Sequence, residues 1–147
     1  MSLTNRLEQD MKAAMKAKDR EALSVIRMIR AAIKNKEIEQ GATLSDEEVI
    51  DLLARELKQR NDSLREFEKA GRDDLIVKTE QEINVIQRYL PEPLSEAALK
   101  QMVAEAVQAV GAETRADMGK VMAELMPKVK GRADGKMVSR FVQEQLS

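Results

Sequence analysis

Apolar residues return every three to four positions along most of the chain, with charged residues between them, and this period predicts amphipathic helix almost throughout. Leu3, Leu7, Met11 and Met15 recur at four-residue spacing and predict a first helix from about Ser2 to Lys16. Asp19 is placed to cap a second. There Ala22, Val25, Ile26, Ile29, Ala32 and Ile33 share one side, while Arg20, Arg27, Arg30 and Lys34 gather on the opposite side. Gly41 closes this helix, and Ser45 with Glu48 forms an S-x-x-E capping box that opens a third. Val49, Leu52, Leu53, Leu57, Leu64 and Phe67 give the third helix its apolar face, with Asn61 falling in the stripe where another leucine is expected. Gly71 is a natural stop, and Asp73 can cap a fourth helix carrying Leu75, Ile76, Ile83, Ile86 and Leu90. Short connections predict that these four helices pack as antiparallel neighbours.

Tyr89-Leu90-Pro91-Glu92-Pro93-Leu94 interrupts the pattern, because two prolines within three residues cannot continue a helix and hold the chain extended. Beyond it Ser95 caps a fifth helix with Leu99, Met102, Val103, Ala106, Val107 and Val110 inward, ended by Gly111. Asp117 is read as the cap of a sixth, whose face is Met118, Val121, Met122, Leu125 and Met126 and which should end or kink at Pro127. Asp134 can start a last helix with Met137, Val138, Phe141, Val142 and Leu146 inward. No segment alternates with a period of two over strand length. The expected fold is all-α: an N-terminal four-helix unit over residues 1–90, a proline hinge, and a small C-terminal three-helix unit over residues 94–147.

Composition narrows the chemistry. The 147 residues contain no cysteine and no histidine, which removes disulfides, thiol nucleophiles, imidazole acid–base work and the usual zinc ligand sets. Lys and Arg (25) nearly cancel Asp and Glu (26), so any case for a polyanionic partner must be local. Phe67, Tyr89 and Phe141 are the only aromatics, too few for base-stacking platforms. No apolar run approaches the length of a signal-peptide core or a membrane span. These features lead to the expectation of a cytoplasmic monomer with no membrane association, no cofactor, no metal and no catalytic residue of its own.

Local charge is concentrated in two places. Between Arg115 and Arg140 seven basic residues face three acidic ones, and the segment contains Gly131-Arg132-Ala133-Asp134-Gly135-Lys136. This is not a phosphate-binding P-loop, since only three residues separate the glycines, Met137 follows the lysine, and a helix precedes it. Converging backbone N–H groups at the glycines, with Lys120, Lys130, Arg132 and Lys136 around them, could still hold a nucleic-acid phosphate; the alternative is an inter-helix turn with solvated lysines. The stripe Arg20, Arg27, Arg30 and Lys34 has the same two readings. Helical ion pairs account for Lys58, Arg60 and Arg65. Asp46-Glu47-Glu48 and Asp73-Asp74 sit at helix starts, where the helix dipole stabilises them; a magnesium site is the alternative. Asn61 and Ser63, polar in or beside a core stripe, are expected to hydrogen-bond another helix.

Several stretches taken together resemble one family. Arg27 with Ala32-Ile33-Lys34-Asn35-Lys36-Glu37-Ile38-Glu39, then Lys58-Gln59-Arg60 and Ser63, Ala70-Gly71-Arg72, Tyr89-Leu90-Pro91, Met118-Gly119-Lys120-Val121-Met122 and Lys130 to Lys136 resemble the YqeY family in order and spacing. That family is similar to the tail domain of the B subunit of the tRNA-dependent amidotransferase, which converts Glu-tRNA or Asp-tRNA to the amide form. The resemblance implies a domain that contacts tRNA away from the chemistry, and related domains occur attached to an aminoacyl-tRNA synthetase. No stretch resembles the catalytic parts of the amidotransferase. The expectation is a non-catalytic tRNA- or RNA-binding adaptor. Its contacts would be Lys120, Lys130, Arg132 and Lys136, with Gly131 and Gly135 allowing close backbone approach and Arg27, Arg30 and Lys34 assisting. The alternatives are a protein-interaction module for an amidotransferase or synthetase, or a component of a carbon–nitrogen ligase complex with glutamine as amide donor.

Overall fold

A computed structural model describes residues 2–146, and among them it shows seven α-helices, one 3-10 turn and no strand. The order is α1 (Leu3–Ala17), α2 (Arg20–Gln40), α3 (Asp46–Ala70), α4 (Asp73–Gln87), α5 (Glu96–Val110), the 3-10 turn Arg115–Asp117, α6 (Met118–Val129) and α7 (Gly135–Leu146). The chain divides into two compact units, Met1–Leu90 and Pro91–Ser147.

The helix ends follow the capping chemistry of the sequence. Ser2, Asp19, Ser45 and Ser95 each accept a backbone N–H from the first turn of the helix they open, and Ser45 with Glu48 completes a reciprocal capping box. Gly41, Gly71 and Gly111 end α2, α3 and α5 in the left-handed region, where a side chain would be strained. Two expected caps act differently. Asp73 is the first residue of α4, not its cap. The Asp117 carboxylate turns back to accept the N–H groups of Glu113 (3.0 Å) and Thr114 (3.4 Å), so it holds the 3-10 turn ahead of α6. These bonds hold its pKa below the usual carboxylate range.

In the first unit Leu7, Ile26, Ile29, Val49, Leu53 and Ile86 are fully enclosed, at roughly 1.5–3 kcal/mol of burial each. Met15 does not join them and is 50% exposed. Strict four-residue spacing overshoots a full turn by about 40° each time, so by Met15 the series has rotated off the face and Ala14, seven residues after Leu7, is buried instead. α1 packs on α2 and α3 on α4, but α2 and α3, although consecutive, barely touch. Leu44, in the loop between them, is buried in the core of this unit with its N–H on the Glu37 carboxylate (2.9 Å).

Tyr89 closes this core. Its ring is 3% exposed, its hydroxyl donates to Asp10 Oδ2 (2.6 Å), and the Arg6 guanidinium lies 4.8 Å from the ring centre while donating to the Arg88 carbonyl (2.8 Å). Leu3 is tied to the start of α3 by its N–H on Asp46 Oδ1 (3.0 Å).

The second unit is a three-helix core of Leu99, Val103, Val121, Leu125, Val129, Val138, Phe141 and Val142. α6 does not end at Pro127 but runs on to Val129. The proline removes one donor, yet it and Ala123, whose carbonyl it leaves free, are both exposed, so water can replace the bond. Val129, enclosed in the core, holds the last turn down.

Candidate nucleic-acid interface

The outer face of α2 carries Arg20, Arg27 and Lys34 at seven-residue intervals. Each step advances about 10 Å along the helix and rotates only about 20°, so the three stand in one ridge. All three are exposed, and among the described residues none has an acidic partner. The reason is local. Positions three and four away from Arg20 and Arg27 hold no carboxylate, and the one acid within reach of Lys34, Glu37, is occupied by the Leu44 N–H. Arg30, expected in the same stripe, is rotated toward α1, half-buried, and donates to the Met11 sulfur. The expected four-residue stripe is therefore three residues. Lys16 and Lys18, at the α1–α2 turn, are also exposed, and Asp19 there is taken up by the Ala22 N–H (3.1 Å).

The cations of the second unit are differently placed. Lys120 lies 4.0 Å from Asp117, Lys128 is 3.0 Å from Glu124, and Arg140 is 3.9 Å from Glu144. Arg132 is a latch. Its Nε donates to the Glu92 carbonyl (3.1 Å) and its own carbonyl accepts the Leu94 N–H (2.9 Å), clamping the proline segment to the α6–α7 turn. Lys130 and Lys136 are exposed, though neither lacks an interaction within the chain.

Three N–H groups around the expected cradle are already bonded within the chain. The Arg132 N–H goes to the Val129 carbonyl, the Lys136 N–H to Asp134 Oδ1 (3.0 Å), and the Val138 N–H to the Asp134 carbonyl. Asp134, by capping α7, fills the place an anion would take. Gly131 is needed for its turn, at φ +73°. Gly135 opens α7 with empty space where a side chain would stand. Lys120 and Lys130 are about 15 Å apart along α6, too far for one phosphate.

The helical ion pair expected of Arg60 is present, with Glu56, but sequence reasoning missed that this arginine also reaches two other helices. The Arg60 side chain is 14% exposed; its Nε meets Glu82 Oε2 (2.8 Å), its Nη1 meets Glu56 Oε2 (2.5 Å), and its Nη2 meets the Met28 sulfur. It ties α2, α3 and α4 together. The signal was present in the spacing, since 49, 53, 57, 60, 64 and 67 form an unbroken three-and-four series with an arginine in one core slot. Asn61, read as the polar intruder, lies one position to the side and is half-buried, and Ser63 is exposed. The acidic clusters serve helix starts: Asp46 accepts Leu3, Glu48 completes the capping box, and Asp74 pairs with Arg72 (3.2 Å).

A family model described as Yqey-like protein matches residues 4–146. Among curated proteins, "Altered inheritance of mitochondria protein 41, mitochondrial" of Pyrenophora tritici-repentis is 33% identical over 142 residues, 95% of this chain and 78% of that protein. The protein of the same name from Saccharomyces cerevisiae (strain YJM789) is 34% identical over 125 residues, 81% of this chain and 68% of that protein. That from Lachancea thermotolerans is 44% identical over 85 residues, covering 57% of this chain and 46% of that protein. These names correct the expectation of a cytoplasmic location, because the relatives are named as mitochondrial. The expectation rested on the lack of an apolar span, a property that does not separate one aqueous compartment from another.

Proposed function

The chain belongs to the Yqey-like protein family, and from that premise we propose that it is a non-catalytic RNA-binding accessory protein for tRNA, related to the tail of the tRNA-dependent amidotransferase. The observation that carries this reading is the α2 ridge, where Arg20, Arg27 and Lys34 stand exposed in line without internal partners. Cations so placed gain a phosphate without breaking an ion pair, and such contacts position RNA without reading its sequence. Lys120, Lys130 and Lys136 are secondary contacts, and Gly131, Arg132 and Gly135 shape the turn that presents them. In this proposal Pro91 and Pro93 form the hinge between a four-helix and a three-helix unit.

Titration of the full chain with tRNA across a salt series tests the proposal. Each phosphate contact contributes roughly 0.7–0.9 to the slope of log affinity against log salt, so replacing Arg20, Arg27 and Lys34 together by alanine lowers the slope by roughly two to three. No binding at low salt, or binding with no salt slope, overturns the reading. A pull-down that survives nuclease and high salt would favour a protein-interaction module instead.

A further inference from the structure

α2 and α3 barely touch, and between them lies a groove of about 440 Å³, within the size range of small-ligand sites. Ala32, Leu44 and Leu52 give it an apolar lining, and the guanidinium of Arg55 and the carboxamides of Asn35 and Gln59 line it as well. Among the described residues none of these three polar side chains has a hydrogen bond or ion pair within the chain. The groove is separate from the α2 ridge, because Arg27 and Lys34 lie about 140–160° around the helix axis from Ala32. Neither the ridge nor the core accounts for these uncommitted groups.

The charge of the groove restricts its occupant. Its acidic side chains are all engaged: Glu39 pairs with Lys36 (4.0 Å), Glu48 accepts the Ser45 N–H in the α3 capping box (3.1 Å), Glu56 pairs with Arg60, and Asp51 has an interaction within the chain. Arg55 is therefore the uncommitted charge of the lining, and it is positive. A guanidinium offers two parallel N–H donors that match the two oxygens of a carboxylate, and a carboxamide NH₂ donates to the lone pairs left over. One such cation balances one negative charge. A phosphate dianion would bring a second charge in among four carboxylates, with no further uncommitted cation in the described lining to meet it.

We infer that the α2–α3 groove binds a small organic acid, a single carboxylate carried on a compact apolar group. Arg55 takes the carboxylate two-pronged, Asn35 and Gln59 donate to its outer lone pairs, and Ala32, Leu44 and Leu52 cover the apolar body. The three polar side chains are exposed, so water competes for each bond and the dissociation constant is on the order of 1 mM. The site shares no residue with the ridge and stands or falls apart from RNA binding.

The test titrates the isotope-labelled full chain with phenylacetate, phenylacetamide and inorganic phosphate and follows the backbone amides by NMR. Phenylacetate shifts amides within residues 32–39 of α2 and 48–59 of α3, and the shifts saturate. Phenylacetamide, which keeps the shape but not the charge, binds about tenfold more weakly, and phosphate leaves these amides in place. Arg55→Gln weakens phenylacetate about tenfold, whereas Arg27→Ala leaves it unchanged. The inference is overturned if phenylacetate gives no saturable shift in the groove, if acid and amide bind equally, if phosphate binds as well as the acid, or if Arg55→Gln binds like the parent. A tripeptide ending in leucine with a free carboxylate, bound more than about tenfold tighter than phenylacetate, assigns the groove to the end of a polypeptide and also overturns it. Arg55 is at the surface, and an unchanged helical melting curve confirms that its variant folds.

Discussion

Residues 16–34 and residues 115–140 carry the same formal charge, +4, from six basic against two acidic and from seven against three. They are not equivalent surfaces. In the second run every basic residue except Arg115 has a partner within the chain, and Arg132 is spent on the backbone of residues 92–94. In the first run only Arg30 is so engaged, through the Met11 sulfur. The difference lies in where the acids stand: Asp117, Glu124 and Glu144 are three or four residues from a cation, whereas Asp19 is consumed as a cap and no carboxylate stands at that spacing from Arg20 or Arg27. Counting charges therefore ranks the two runs equally; counting partners does not.

The sharpest break of this comparison is Arg60, a cation fully invested in the fold. Arg60→Ala leaves Glu56 and Glu82 facing each other without their counter-charge. It is expected to lower stability by about 3–5 kcal/mol in urea unfolding, a large part of the total for a domain of this size. Restoring neutrality by adding Glu56→Gln and Glu82→Gln recovers much of the loss. The ridge triple variant, by contrast, should stay within about 0.5 kcal/mol of the parent. A mild Arg60→Ala would mean that buried and outward cations do not differ as described.

Local pattern carried most of the fold. The caps at Ser45 and Ser95, the stops at Gly41, Gly71 and Gly111, and the core stripes of α2, α5 and α7 depend on neighbours three or four residues away and were readable as such, except that Met137, expected inward at the start of α7, is 40% exposed. What was not readable depends on residues far apart in the chain. The bond from Tyr89 to Asp10, the bond from Leu3 to Asp46 and the clasp of Arg132 on Glu92 leave no trace in local periodicity. Nor does the continuation of α6 past Pro127, which is decided by what Val129 touches. Arg60 is the intermediate case, legible once its place in the stripe is counted and missed when its i, i+4 glutamate offered a simpler account. For the candidate site, the α2 stripe was visible as residues, but its freedom from partners required knowing that Glu37 is held by Leu44.

Tyr89 gives the next largest effect. Burial first, and the Asp10 carboxylate second, push its hydroxyl pKa up from the ordinary value near 10. A group whose folded pKa is raised gives stability that is complete below the unfolded value and is lost as pH climbs above it, so the parent should lose stability above about pH 10. Tyr89→Phe should cost about 1.5 kcal/mol at neutral pH, through loss of a hydrogen bond to a charged acceptor, and should flatten that alkaline loss. Denaturant midpoints measured from pH 7 upward decide it. An unchanged alkaline slope in the variant would show that other groups cause the loss.

The smallest effect bears most directly on which run of charge is a contact surface. Arg132→Ala removes the Nε bond to the Glu92 carbonyl but keeps the Leu94 N–H on the backbone of residue 132, since that bond needs no side chain. The expected cost is about 0.5–1 kcal/mol of stability, because the lost acceptor is exposed and water replaces the donor. Affinity for tRNA should change by less than about twofold, while Arg27→Ala, which disturbs no internal bond, should lower it several-fold at low salt and leave stability unchanged. The two substitutions remove the same charge from surfaces with the same local net charge, so any difference between them reports how each guanidinium is held. If Arg132→Ala weakens tRNA binding as much as Arg27→Ala does, internal partners do not withdraw a cation from phosphate contact, and the α6–α7 turn regains equal standing with the α2 ridge.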